Sequence, residues 1–352
     1  MERLIHALER KPPESIVVTM PDFFVDHFVH YHGDVESFTK RVITLAKQGG
    51  GDLPLTYQSI FRGGNAANTA SALAKWGFKS YLIARTSKVG KRLSRMLMRG
   101  VDLSHVKTDG KLAMTVAMEL RGEKGGVNIM INDPGSVADF GFERLTQDDV
   151  ELLKAADVVC VFNWNLNQRG TNLAKNVFKL VKKRGKGMTY FDSGDPSLRV
   201  DDVSELMSEV LKRELVDVFS VNENEALWYA SEFKDKLREK RGVMSSTKLA
   251  LECASILRVH VKARVDLHTA SLSASFDGRK RALVRTFKTN VKRLTGAGDV
   301  WNAANIYGYI LKLDPRDRLT LANAAAALYI SDEMGEHPSR RDLIRFLRGS
   351  FG

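Results

Sequence analysis

The sequence predicts an α/β protein, a mostly parallel sheet with helices on both faces. Three observations carry this. Short β-branched or apolar runs alternate with helical stretches from residue 15 to residue 331. Glycines fall where those helices must stop, as at Gly77 and Gly185. Two regions, 23–60 and 112–136, break the pattern, and "LAMTVAMEL" and "GGVNIMIND" alternate like strands of a hairpin. These two regions are expected to form a small β lid over one end of the main sheet.

Taken in order, "SIVVTM" (15–20) is the first strand and "NAANTASALAKWG" (65–77) the next helix. "KSYLIAR" (79–85) reads as a buried strand. "DVELLKAAD" (149–157) is a helix and "VVCVF" (158–162) a strand. A helix over 171–185, with Thr171 as cap, leads to the strand "GMTYFD" (187–192). "VDVFSVN" (216–222) is a strand, and "ENEALWYASEF" the helix after it. "STKLALECASILRVH" (246–260) leads into "RVDLHTASLSASF" (264–276), and two helical runs, 298–311 and 316–331, close the chain. In such a sheet ligands bind beyond the carboxyl ends of strands. That selects Asp192, Asn222 and the loop Gly296–Asp299.

A chain of 352 residues can bury a large core, and a single domain over 1–352 carrying the lid is expected. Hydrophobic residues at 43% and charged ones at 27% are ordinary for a soluble protein. No apolar run approaches the ~20 residues of a membrane span, and "MERLIHALERKPPES" lacks a signal core. A cytoplasmic location and no membrane partner are therefore expected. Cys160 lies in an apolar run, where burial is the expectation. The net charge of +12 fits nucleic acid, anionic small molecules or a charge-rich surface. The basic residues are spread along the chain with no long arm, so no nucleic-acid partner is expected.

The chemistry concentrates in "TGAGD", 295–299. Gly296 and Gly298 permit a turn that aims several N–H groups at one point. At a helix start those groups are unpaired and sit at the positive end of the dipole, which makes an anion hole. Asp299 beside it repels phosphate but can take a proton from a hydroxyl that attacks phosphorus. A plain helix cap reads the same way. In "SVNENEA" (220–226), Asn222 and Glu225 share a helix face and suit Mg²⁺ held through water; an acidic helix start reads equally. In "FRGGNAANTASALAKWG" (61–77), Gly63 and Gly64 precede Asn65 and Asn68, amides suited to sugar hydroxyls or to capping. In "MPDFFVDHF" (20–28), Asp22 and Asp26 sit in an apolar stretch, so one of them is a candidate for polyol hydroxyls.

Together and in this order, the four pieces resemble the ribokinase-like (PfkB) carbohydrate kinase family, from about residue 16 to residue 348. "GGNAANTASAL" is similar to its first signature, "NENE" to its Asn-x-x-Glu motif and "GAGDVWNAAN" to its second signature. "LANAAAALYISDEMGEHPS" resembles the segment flanking the adenine. The resemblance implies a Rossmann-like three-layer α/β/α domain with a small β lid, through which many members dimerise. It implies a phosphotransferase using ATP or ADP with Mg²⁺. Asp299 is then the base, and Gly296, Ala297 and Gly298 the anion hole. Asn222 and Glu225 orient Mg²⁺ and phosphate, Asp26, Gly64 and Asn68 bind the acceptor, and Asn323 and Ala327 neighbour the adenine. Two departures matter. Arg293 and Leu294 precede Thr295 where the family has an acidic or small polar residue. The loop Leu267, His268, Thr269, Ala270 replaces a glycine-containing one that touches the nucleotide, which leaves the donor open between ATP and ADP.

Arginines near the expected acceptor site point to an acceptor that already carries phosphate. Arg62 precedes the glycine pair, Arg85 follows a strand, and "FNWNLNQRGT" offers Asn163, Asn165, Asn167 and Arg169. "FFVDHFVHYHG" and "NWNLNQRGT" resemble archaeal members of the family. The expected acceptor is a sugar phosphate such as ribose 1-phosphate, giving ribose 1,5-bisphosphate. A nucleoside, free sugar or polyol is the alternative within the class, and a catalytically retired nucleotide-binding regulator the alternative outside it.

Overall fold

The computed structural model describes residues 2–53, 56–122, 125–278, 280–293 and 295–351. Leu294 and the Glu123–Lys124 part of the "GEKGG" tip lie outside the described residues.

Helix α1 (Glu2–Glu9) precedes β1 (Ile16–Met20), β2 (Phe24–Asp34), α2 (Val35–Lys47) and β3 (Thr56–Gly63). Then come α3 (Asn65–Lys75), β4 (Lys79–Leu82), β5 (Ala84–Arg85), α4 (Lys88–Leu97), β6 (Val106–Lys107), β7 (Ala113–Gly122) and β8 (Gly125–Asp133). The middle runs α5 (Gln147–Ala155), β9 (Val158–Val161), α6 (Gly170–Arg184), β10 (Met188–Asp192), α7 (Val200–Leu206), β11 (Val218–Asn222), α8 (Glu223–Ala230) and α9 (Ser246–His260). The last part is β12 (Arg264–His268), β13 (Leu272–Asp277), β14 (Lys280–Arg285), α10 (Ala297–Ile310), α11 (Pro315–Ile330) and α12 (Arg340–Phe351).

Eight strands form the main sheet in the order β14-β13-β12-β11-β10-β9-β1-β4. The six from β12 to β4 are parallel, and β13 and β14 add an antiparallel edge. Alternate side chains feed two cores, as the two-residue period of a strand requires. Val159 and Val161 pack with Leu173 and Val177 of α6, while Val158 and Cys160 pack with the α3, α10 and α11 layer. Alanines 66, 67 and 70 of α3 and 303 and 304 of α10 are fully buried in that layer. The α/β expectation, sheet and two helical layers, holds.

A second sheet, β3-β2-β7-β8, is built from two separate stretches of the chain. β2 pairs antiparallel with β3 and parallel with β7, and β7 pairs antiparallel with β8.

Three details differ from the sequence reading. The run 79–85 is two strands, with Ile83 between β4 and β5. The run 264–276 is also two strands, β12 and β13, because Thr269 accepts the Leu272 N–H and donates to the Leu272 carbonyl to close a turn. The chain ends on a third helix, α12, whose Leu343 and Leu347 are buried in one core with Leu4 and Leu8 of α1. Contact between the two ends of a chain leaves no local sequence signal. Among the described residues, no helix is long and apolar enough to cross a membrane.

Candidate active site

A cleft of about 480 Å³ opens where four parallel strands end and the small sheet overhangs them. Asn163 follows β9, and Asp192, Asn222 and His268 end β10, β11 and β12; all four line the cleft. The small sheet contributes Asp26, Thr115 and Asn132, and the first turn of α10 contributes Gly296, Gly298 and Asp299, next to Thr295.

Gly296 adopts φ 87° and ψ −2°, a left-handed conformation that favours glycine. A Cβ there would also meet the Tyr329 hydroxyl at 2.6 Å. No side chain among the described residues caps α10. The N–H groups of Ala297, Gly298 and Asp299 therefore have no intrahelical acceptor and stand at the positive end of the dipole. Asp299 is buried, and its Oδ2 accepts from Asn68 Nδ2 at 2.8 Å. Burial pushes its carboxyl up to about 8, against the Asn68 hydrogen bond; Asp192, Asp22 and Asp26 add to the rise. That range suits a general base.

The two acids of "MPDFFVDHF" divide their work. Asp22 is fully buried and accepts from the Ala66 N–H and from Asn163 Nδ2, both at 3.0 Å. It ties the start of α3 to the loop after β9. Asp26 faces the cleft, its carboxyl raised to about 6 by burial, with the neighbouring Thr115 hydroxyl and the Arg293 charge acting against the rise. Each glycine of the pair makes room for one of them. A Cβ on Gly63 would overlap the Asp26 carboxylate, and one on Gly64, at φ 93°, would lie 2.6 Å from Asp22 Oδ2. Asn65 lines the cleft, and Asn163 turns there in a left-handed conformation, φ 54°.

Asn222 and Glu225 form a reciprocal cap at the start of α8. Asn222 Oδ1 accepts the N–H of Asn224 and Glu225, both at 2.9 Å. Glu225 accepts the Asn222 N–H at 2.9 Å and Asn222 Nδ2 at 2.8 Å. Both residues still line the cleft. Burial first, and then the Asp192 charge, hold the Glu225 carboxyl well above its usual range.

Several residues expected at the site do not line this cleft. Arg62 pairs across β3 and β2 with Val25, while its neighbour Phe61 pairs with Asp26. Strand alternation therefore puts Arg62 and Asp26 on opposite faces. Its guanidinium instead meets Asn68 Oδ1 at 2.9 Å, the Leu97 carbonyl at 3.2 Å and His337 Nε2 at 2.7 Å. Arg169, half exposed, pairs with Glu143 at 3.3 Å. Thr269 is consumed by its turn. Asn323 is buried, its Oδ1 accepting from Ser273 and Trp301 and its Nδ2 donating to the Arg285 carbonyl. Ala327 is buried as well. Arg85, too, is spent, on Asp109 at 2.8 Å. His268 does line the cleft; burial lowers its pKa to about 4, so it is neutral, and its Nε2 has no partner.

Sequence reasoning gave no role to Asp195, Thr115 or Asn132, all of which line the cleft. Thr115 donates to Asn132 at 2.9 Å across β7 and β8. A polar residue between Met114 and Val116 was the available signal.

The model of the pfkB family of carbohydrate kinases matches residues 45–340. The chain belongs to that family, and is thus a phosphotransferase of the carbohydrate kinase class. No curated protein sequence is similar enough to match it. Among solved structures, it is similar to the Arabidopsis thaliana ribokinase complexed with ribose and ATP, at 21% identity and TM-score 0.70, covering 96% of this chain and 99% of that one. Ribokinase from Cryptococcus neoformans in complex with ADP gives 17%, TM-score 0.73, and coverage of 94% and 98%. Adenosine kinase from Sinorhizobium meliloti gives 17%, TM-score 0.72, and coverage of 96% and 99%. At these identities the likeness establishes the fold.

Proposed function

We propose that this enzyme transfers the terminal phosphoryl group of ATP or ADP to a hydroxyl of an uncharged sugar or nucleoside. The observation that carries the reading is Asp299, a buried carboxyl titrating near neutrality beside the uncapped first turn of α10. Asp299 takes the hydroxyl proton as the oxygen attacks phosphorus, and the N–H groups of Ala297, Gly298 and Asp299 receive the charge on the moving phosphoryl group. Asp26 and the amides of Asn65, Asn132 and Asn163 supply acceptors and donors for a polyol.

The cleft carries Asp192, Asp195, Glu225 and Asp299 and, among the described residues, no lysine or arginine. A polyphosphate would meet repulsion there without a cation. The hard oxygen donors Asp192, Glu225 and Asn222 fit Mg²⁺, and no cluster of three ligating side chains among the described residues holds an ion alone. They would hold it through water, and the ion would neutralise phosphate charge. The neighbours solved with ATP and with ADP support a nucleotide as donor; in this reading the His268 side chain lies on the nucleotide side of the cleft.

The same absence of cations argues against ribose 1-phosphate, because the arginines that suggested it are engaged outside the cleft. An activity panel tests this: ATP and ADP against ribose, inositol, nucleosides, fructose 6-phosphate and ribose 1-phosphate. Turnover with an uncharged acceptor supports the reading. Turnover confined to phosphorylated sugars overturns the acceptor class, and silence with nucleotide still bound would favour the regulatory alternative.

The small sheet acts in this reading as a lid that excludes water when acceptor binds. Its outer face carries exposed Ile60, Ile129 and Ile131, with Ile60 and Ile131 in one row across the sheet. We infer a homodimer through that face, which sedimentation velocity would detect.

A further inference from the structure

A second cavity, of about 390 Å³, lies between β3, α3, α4 and the 334–337 loop. Arg62, which the cleft does not use, lines it together with Lys75, Arg99 and Arg293. Its one acid among the described residues is Glu336, which is exposed. None of the four cations makes an ion pair among the described residues. Arg62 meets only neutral acceptors, Asn68, the Leu97 carbonyl and His337, with three of the five N–H donors of a guanidinium. Arg293 lies over Phe61 at 5.0 Å and Tyr329 at 5.3 Å, with its Nε buried and without a partner. Gly335, at φ 65°, has no Cβ where one would overlap this guanidinium. The fold thus brings two guanidinium groups to one cavity in which neither has an ion-pair partner in contact, an arrangement that a bound counter-charge would stabilise. Helix α4 strengthens the field: Lys88, Lys91, Arg92 and Arg95 occupy it with no acid between Lys88 and Leu97.

We propose that this cavity is a second anion site, separate from the catalytic cleft, that takes a phosphate-bearing small molecule. The phosphate sits between Arg62 and Arg293, whose planar forks match its oxygens, and Lys75 and Arg99 line the exposed part of the cavity. The volume exceeds that of a bare phosphate and suits a small phosphomonoester. The site is wired to the base. Arg62 Nε donates to Asn68 Oδ1 at 2.9 Å, and Asn68 Nδ2 donates to Asp299 Oδ2 at 2.8 Å. A ligand that draws on Arg62 therefore acts on the residue that aligns Asp299.

Calorimetric titration of the full chain with inorganic phosphate, and separately with ribose 5-phosphate, tests the site without any turnover, so its failure is distinct from failure of the kinase reading. Saturable binding of at least one probe is expected. Arg293→Gln should weaken it at least tenfold. The exposed pair Lys75→Ala/Arg99→Ala, which leaves the core intact, should weaken it several-fold. Glu336→Gln should tighten it, and Asp299→Asn should change it far less than Arg293→Gln does. The proposal is overturned if neither probe saturates, or if binding survives both cavity variants unchanged. It is also overturned if affinity responds to Asp299→Asn alone, because the anion then sits at the first turn of α10.

Discussion

The side-chain amide of Asn68 donates to Oδ2 of Asp299 at 2.8 Å, joining the second turn of α3 to the first turn of α10. Asn68 is thus a partner of the base rather than of the acceptor alone. Asn68→Ala should lower kcat by roughly 10–100-fold and move the acid limb of the pH–rate profile to higher pH, because this bond holds the Asp299 carboxyl down. A raised KM with an unchanged profile would return Asn68 to acceptor binding.

Asp299→Asn keeps the shape of the side chain and removes its basicity. Turnover should fall by roughly 10²–10⁴-fold, while nucleotide affinity measured by calorimetry should hold within about twofold. Wild-type turnover in this variant would remove Asp299 from the chemistry.

Stability should also report Asp299. Its carboxyl rises from 3.8 to about 8 on folding, so between those values the folded state binds more protons than the unfolded one. Stability then falls as pH rises through that window. Asp22 and Asp26, raised to about 6, act with the same sign. Asp299→Asn removes one share, so its gain in denaturant midpoint over the wild type should be larger at pH 8 than at pH 5. An equal gain at both values would show that the carboxyl is not raised.

Gly63→Ala tests the fit of Asp26. A Cβ there overlaps the Asp26 carboxylate, which must move. The KM for the acceptor should rise about tenfold or more with nucleotide affinity unchanged, since one displaced charged hydrogen bond costs about 1.5–3 kcal/mol.

Beneath the cleft, Arg318 and Asp266 form a buried ion pair at 2.7 Å, and Asp266 also accepts from Asn305 at 2.9 Å and Tyr309 at 2.7 Å. Arg318→Leu strands the Asp266 charge and should cost about 3–5 kcal/mol in urea unfolding. A cost below 1 kcal/mol would show that the carboxyl is neutral or hydrated.

What the sequence determined by itself is local. Apolar runs specified the strands of the main sheet, and Gly77, at φ 98°, ends α3 where its position suggested. "TGAGD" specified an uncapped helix start with an acid in its first turn, because backbone freedom and dipole belong to a few consecutive residues. Distances between segments were not legible. Only the tertiary structure decided that Arg62 turns away from Asp26, since that depends on which β3 residue pairs with which β2 residue. Only it decided that Asn323 is consumed inside the α11 layer and that Arg62, Asn68 and Asp299 form one chain of contacts. Burial decided the rest. The Asp299 carboxyl titrates near 8 because the small sheet, α3 and the neighbouring acids exclude water and add charge around it, and no stretch of sequence contains that surrounding.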